Sequence, residues 1–211
     1  MFVVVFVLIF EDFRQMSQKY LKNSAVSFLA IDTPAIMEGD KHNAHNNCTT
    51  PIAACYDMVR DELAANKHTV IIVLSRCEHY WNERERMLEQ LNKHYGALVS
   101  RLKAAGVDII VTWVKTLGGL EFLEYVSSED GECNKAKFVR VGDYHPENCA
   151  TPLQLALSHG MKRVRDSIKP GFGLYIGFDV KALAVNASLQ IAEELRTQLH
   201  AGNENTFAYL L

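Results

Sequence analysis

No CxxC pair occurs in the 211-residue chain, and its five cysteines, Cys48, Cys55, Cys77, Cys133 and Cys149, are odd in number and scattered. That excludes a recognisable disulfide framework and favours free or buried thiols in a reducing cytoplasm. There is no GxSxG and no Walker A sequence, which removes the serine-hydrolase elbow and the P-loop. No apolar run approaches the roughly 20 residues that a membrane span requires. The run MFVVVFVLIF (1–10) lacks the positive n-region of a signal peptide and meets Glu11 and Asp12 at once, so it is not expected to act as one. It reads as a buried strand or as a start assigned too early, with Met16 opening the domain. Positive charge is not in excess: 22 Lys and Arg face 25 Asp and Glu, so no global attraction to nucleic acid or membrane is expected. Repeats, low-complexity tracts and linkers are also missing, which predicts a segment 1–24 followed by a single domain over 25–211.

What is there is ordinary globular material, 48% hydrophobic and 22% charged, in a chain long enough to bury a core. AVSFLAI (25–31) is a short apolar run ending at Asp32, and TVIIVL (69–74) is another ending at Ser75. Both read as buried strands. A polar loop is expected from Asp32 to Thr50, then a helix over 51–66 entered through Thr50-Pro51. Asn82 is read as the cap of a long helix striped by Leu88, Leu91, Tyr95, Leu98 and Leu102, with Gly106 as its left-handed stop. Val107–Trp113 follows as a strand, Leu117–Val126 as a short helix, and SSEDGECN (127–134) as a surface loop or the tip of an insertion. Phe138–Val141 is expected as a fourth strand. A helix begins at Thr151-Pro152, with Gly160 dividing it, then a fifth strand Leu174–Phe178 ends at Asp179 and a last helix starts at Lys181. Alternating strands and helices predict a three-layer, Rossmann-like α/β fold around a mostly parallel sheet.

In such a sheet the carboxyl ends of the strands form the functional edge, and Asp32, Ser75 and Asp179 are expected there together. Converging carboxylates can share a Mg²⁺ that also takes phosphate oxygens. An Asp can attack phosphorus, and a hydroxyl or lysine can hold the phosphate. Taken singly, such residues end strands for turn chemistry alone.

The order FLAID (28–32), VIIVLSR (70–76), MKRVRDSI (161–168) and LYIGFD (174–179) resembles the haloacid-dehalogenase-like (HAD) phosphohydrolases over about residues 25–195. The spacing from Lys162 to Asp179 and the following FDVKALAVNA are similar to phage-type polynucleotide 3′-phosphatases. The resemblance implies Asp32 as nucleophile, Ser75 and Lys162 as phosphate-holding catalytic groups, and Asp32, Asp179 and the Pro34 carbonyl around Mg²⁺. Thr33, Arg76 and Arg165 are expected against the substrate, a phosphorylated small molecule or nucleic-acid end. The departure is Pro34, which stands where the family's phosphatases carry a second Asp. A single acid, followed by Val180, closes the fourth motif. An altered enzyme and a non-catalytic binding or assembly relative both stay open.

Other candidates are weaker. His42, His45 and Cys48, three apart, suit zinc chemistry without matching a standard pattern. Glu38, Asp40 or His42 would replace the missing acid if their loop folds back. Lys162, Arg163, Arg165 and Lys169 form a basic cluster, most simply a solvated helix face. Arg76 and His79 follow Ser75 on the expected edge. Asp143 and His145 follow a strand, with Asp143 the reserve metal ligand. Cys77 lies just past a strand but has no evident partner, and GFG (171–173) precedes a strand, so it is no phosphate cradle.

Overall fold

The computed structural model describes residues 3–4, 11–127, 134–167, 190 and 208–210. In chain order they form β1 (Val3–Val4), α1 (Glu11–Asn23), β2 (Val26–Asp32), α2 (Thr33–Met37), α3 (Asp40–Asn46), α4 (Thr49–Met58) and α5 (Arg60–Ala65). Then come β3 (Thr69–Ser75), α6 (Arg84–Ala104), β4 (Asp108–Trp113), β5 (Leu120–Ser127), β6 (Asn134–Arg140), α7 (Thr151–Ser167) and β7 (Ala208–Leu210).

β2, β3 and β4 are parallel neighbours, in register so that Asp32 stands beside Ser75 and Leu74 beside Trp113. β1 adds in parallel at Ser27 and Phe28, and β7 runs antiparallel along β4. This is an α/β architecture compatible with a Rossmann-like arrangement. Strands laid down in one direction by right-handed crossovers carry their helices on one face. Accordingly Leu21 of α1, Tyr56 of α4, Leu63 of α5 and Leu91 of α6 share one core with Leu29, Ile31, Val70, Ile72, Leu74, Val111 and Trp113. The opposite face, with Val26, Ile71 and Ile110, takes Leu155 and Ala156 of α7. Burial on both faces explains why these strands are unbroken apolar runs. At their amino-terminal ends the fully buried His68 ties the layers together. Its Nδ1 lies 2.9 Å from the Ser24 carbonyl and its Nε2 2.8 Å from Ser27 Oγ, itself 3.0 Å from the Tyr56 hydroxyl.

Several expectations are corrected. Residues 33–50 are not a polar loop: all five residues of α2 are buried, α3 follows, and α4 starts at Thr49 after a left-handed Cys48 (φ 46°). The helix expected over 51–66 is broken at Val59 into α4 and α5. The long helix begins at Arg84 behind Glu83, so Asn82 is not its cap. Leu117–Val126 is no helix. Its residues enter β5, which pairs antiparallel with β6, and Phe138–Val141 therefore does not join the parallel sheet. A register shift between Phe122 and Glu124 explains the misreading, because one extra residue breaks the period of two that marks a strand. Gly160 does not divide α7, which runs unbroken to Ser167. Strand Leu174–Phe178, the GFG turn and the helix from Lys181 fall outside the described residues. At the start of the chain Val3 and Val4 do form a strand. Among the described residues no helix is long and apolar enough to cross a membrane.

The β5–β6 hairpin leaves the sheet through a tightly built base. Glu78 Oε1 accepts hydrogen bonds from Thr116 Oγ1 at 3.0 Å and from the Leu117 N–H at 2.7 Å. Lys115 and Glu147 pair through both backbones, each bond 3.1 Å, and through their side chains at 2.5 Å. Gly118 has φ +77°, and a Cβ there would fall 1.8 Å from the His145 carbonyl oxygen, so no larger residue fits.

Candidate functional site

The edge where β2 and β3 end is covered by α2, α3 and the inner face of the hairpin. Asp32 is at its centre, with a side chain 10% exposed. Asn47 pins its backbone, accepting the Asp32 N–H at 2.7 Å and donating to the Asp32 carbonyl at 3.1 Å. Carboxylate oxygen Oδ2 receives Arg76 Nη2 at 2.5 Å, the Tyr125 hydroxyl at 3.0 Å and Asn46 Nδ2 at 3.5 Å. The other oxygen, Oδ1, is buried and has no hydrogen-bond partner among the described residues. An acceptor so placed costs about 1–3 kcal/mol, more when charged, until a donor reaches it.

Arg76 reaches Asp32 from a left-handed backbone, φ +57°, a conformation disfavoured for any residue with a Cβ. Strain of this kind persists only where surrounding contacts enforce it. Here the contacts are the ion pair and the Phe138 ring, 5.4 Å from the guanidinium carbon. Tyr125 is sandwiched among aromatics. His42 stacks on it with ring centres 4.3 Å apart, and Phe122 lies tilted at 5.0 Å. Burial raises the Tyr125 phenol pKa, and the adjacent Asp32 charge raises it further, so Tyr125 is a fixed neutral donor. Tyr80 donates a short hydrogen bond to Glu38 nearby, its phenol also raised by burial.

The expected residues divide sharply. Asp32, Ser75 and Arg76 are brought together, but Ser75 Oγ donates to the Ile31 carbonyl at 2.9 Å. Thr33 is fully buried with its hydroxyl 3.2 Å from Cys77 Sγ, so it faces the core. Pro34 is buried in α2, and its carbonyl accepts the Glu38 N–H at 2.9 Å. Lys162, Arg163 and Arg165 stand in α7, but their side chains are outside the described residues, as are Lys169 and Asp179 and the side chain of His45. Asp143 and His145 sit in an exposed turn beyond the hairpin, where Asp143 meets Arg140 at 3.5 Å. His79 packs edge-on against Tyr80. Burial pushes the Cys77 thiol up to about 12, which removes it as a nucleophile.

For Mg²⁺ the fit is poor among these residues. Asp32 is one carboxylate, a guanidinium already neutralises it, and the Pro34 carbonyl is engaged within its helix. For zinc, His42 is stacked on Tyr125, and among the described residues no group of three or more His, Cys, Asp or Glu is arranged to hold a metal ion.

Tyr125, Phe138, Asn46 and Asn47 are the site residues that sequence reasoning did not find. Tyr125 lies 93 positions from Asp32, and no motif marks it. Comparison of the chain with protein-family models, with curated proteins and with solved structures gives no match.

Proposed function

We propose that the chain is a HAD-like α/β domain that binds a phosphate ester, on a small molecule or a nucleic-acid end, where β2 and β3 finish. Arg76 is the anion contact in this reading, and Asp32 is the carboxylate that holds it ready. The observation that carries it is the Asp32–Arg76 pair, 2.5 Å long, in which Arg76 follows Ser75, the register partner of Asp32, and is held in a strained backbone. A phosphate offers the guanidinium the same paired acceptors as a carboxylate, with more charge. It therefore competes for Arg76. Lys162 and Arg165 of α7 are the further basic groups that the HAD resemblance would bring to the ligand. A cytoplasmic setting belongs to the same reading, supported by the free thiols of Cys77 and Cys149 and by the odd, scattered cysteines.

A hydrolytic version is favoured by one observation: Oδ1 of Asp32, the atom that would attack phosphorus, has no partner among the described residues. That version needs Asp179 as a second carboxylate, and a proton-transfer group in place of Pro34. His42, stacked on Tyr125 beside the site, is the candidate this reading takes.

Calorimetry with inorganic phosphate, an aryl phosphate and a nucleoside 3′-monophosphate tests both. Binding that weakens at least about tenfold in Arg76→Ala, a change of about 1.4 kcal/mol, supports the main reading. Aryl phosphate hydrolysis with Mg²⁺, abolished in Asp32→Asn, establishes the hydrolytic one. Neither binding nor turnover with any of the three probes ends both.

A further inference from the structure

The inner face of the hairpin is spent on the site, through Phe122, Tyr125 and Phe138. Its outer face is a different surface. Leu123 (51% exposed), Val126 (45%), Val139 (39%) and Val141 (56%) make an apolar patch there, although an ordinary two-stranded ribbon turns polar residues to water. The charges around this patch are segregated by strand. β5 supplies Glu121 and Glu124, whereas β6 supplies Lys135 and Lys137, all of them exposed.

From this pattern we infer that the outer face of the hairpin docks against the same face of a second copy of this chain. Two orientations of a face-to-face pair obey two-fold symmetry, in which one patch meets itself. An axis across the strands sets β5 over β5 and β6 over β6, with like charges opposed. An axis along the strands sets each β5 over the second copy's β6. Glu124 then lies over Lys137, its own cross-strand neighbour in the register, and Val126 lies over Lys135, whose stem is apolar. The segregated charges reject the first arrangement and favour the second. Val139 lies over Glu121, its own register partner, and packs on the apolar stem of that glutamate, while Leu123 packs beside Lys137. The two strands hold 8 and 7 residues, fewer together than the roughly 20–30 that a standard interface uses on each side. The dimer is therefore weak and reversible, and it does not depend on what the Asp32 edge binds.

Sedimentation velocity on the full chain, from about 1 to about 200 µM, reads this directly. Wild type shifts from monomer toward dimer across that range, and the shift weakens as salt is raised. Glu121→Lys with Glu124→Lys makes the outer face wholly positive, and Lys135→Glu with Lys137→Glu makes it wholly negative. Each double variant alone stays monomeric, while an equimolar mixture of the two forms heterodimers. Leu123→Ser, an exposed change that leaves the fold's circular dichroism intact, also abolishes association. A wild-type chain that is monomeric throughout overturns the proposal. So does a dimer that survives both charge reversals and Leu123→Ser, because its interface must then be elsewhere.

Discussion

The parallel sheet and the hairpin that folds over its edge are held together by opposite means. Every interior strand of the sheet is covered on both faces, by α1, α4, α5 and α6 on one and by α7 on the other. The hairpin has one covered face. It stays in place through a few specific contacts: Glu78 on residues 116–118, the Lys115–Glu147 bridge, and Tyr125 and Phe138 against Asp32 and Arg76. Bulk burial is tolerant of detail, whereas a handful of polar contacts fails at once when one is lost. The candidate site lies between these two regions, so its shape depends on the weaker of them.

That contrast can be broken most forcefully in the sheet. Ile72→Ala, at a position only 2% exposed, should lower stability by about 2–5 kcal/mol, and urea unfolding should show one cooperative loss that includes the helices. Gly118→Ala should cost less, about 1–3 kcal/mol, and its effect should be confined to the hairpin. Hydrogen exchange would show amides of β5 and β6 opening while those of β3 stay protected, and equal loss in both would refute the separation. Asp32→Asn removes the charge that Arg76 answers and weakens the tie to Tyr125. About tenfold faster exchange in β5, with unchanged exchange in β4, is the expected signature.

The smallest effect at neutral pH concerns titration. Burial pushes Tyr56, Tyr95 and Cys77 up to about 12 from ordinary values of 10.0 and 9.0. Between those limits the unfolded chain has released protons that the folded chain still holds, so stability must fall as pH rises from about 9 to about 12. Below about 9 the contribution is complete and flat. A urea midpoint independent of pH across that alkaline window would contradict the burial of these groups.

Legibility in the sequence follows the same division. Apolar runs bounded by Asp32 and Ser75 mark β2 and β3 because burial on both faces demands such runs. The stripe from Leu91 to Leu102 marks α6 because one face of a helix must be apolar. Gly106, at φ +84°, ends that helix as its spacing predicts. α2 was hidden because TPAIM is too short to show a period. β5 was hidden because its register shift gives it the spacing of a helix. At the site, Asp32, Ser75 and Arg76 could be read as neighbours, since strand ends in a parallel sheet share an edge. Tyr125 could not, because nothing local in LEFLEYVS reports what it will meet.

The amino acids alone determined β2, β3 and β4 as buried strands of a parallel sheet and the identity of the edge where β2 and β3 stop. These are consequences of short-range periodicity and crossover handedness. Tertiary structure decided that Arg76 and Tyr125 both close on one oxygen of Asp32, that Ser75 turns to a backbone carbonyl, and that the hairpin shows an apolar face outward. Each of these depends on segments distant in the chain arriving together, and only packing in three dimensions sets where they arrive.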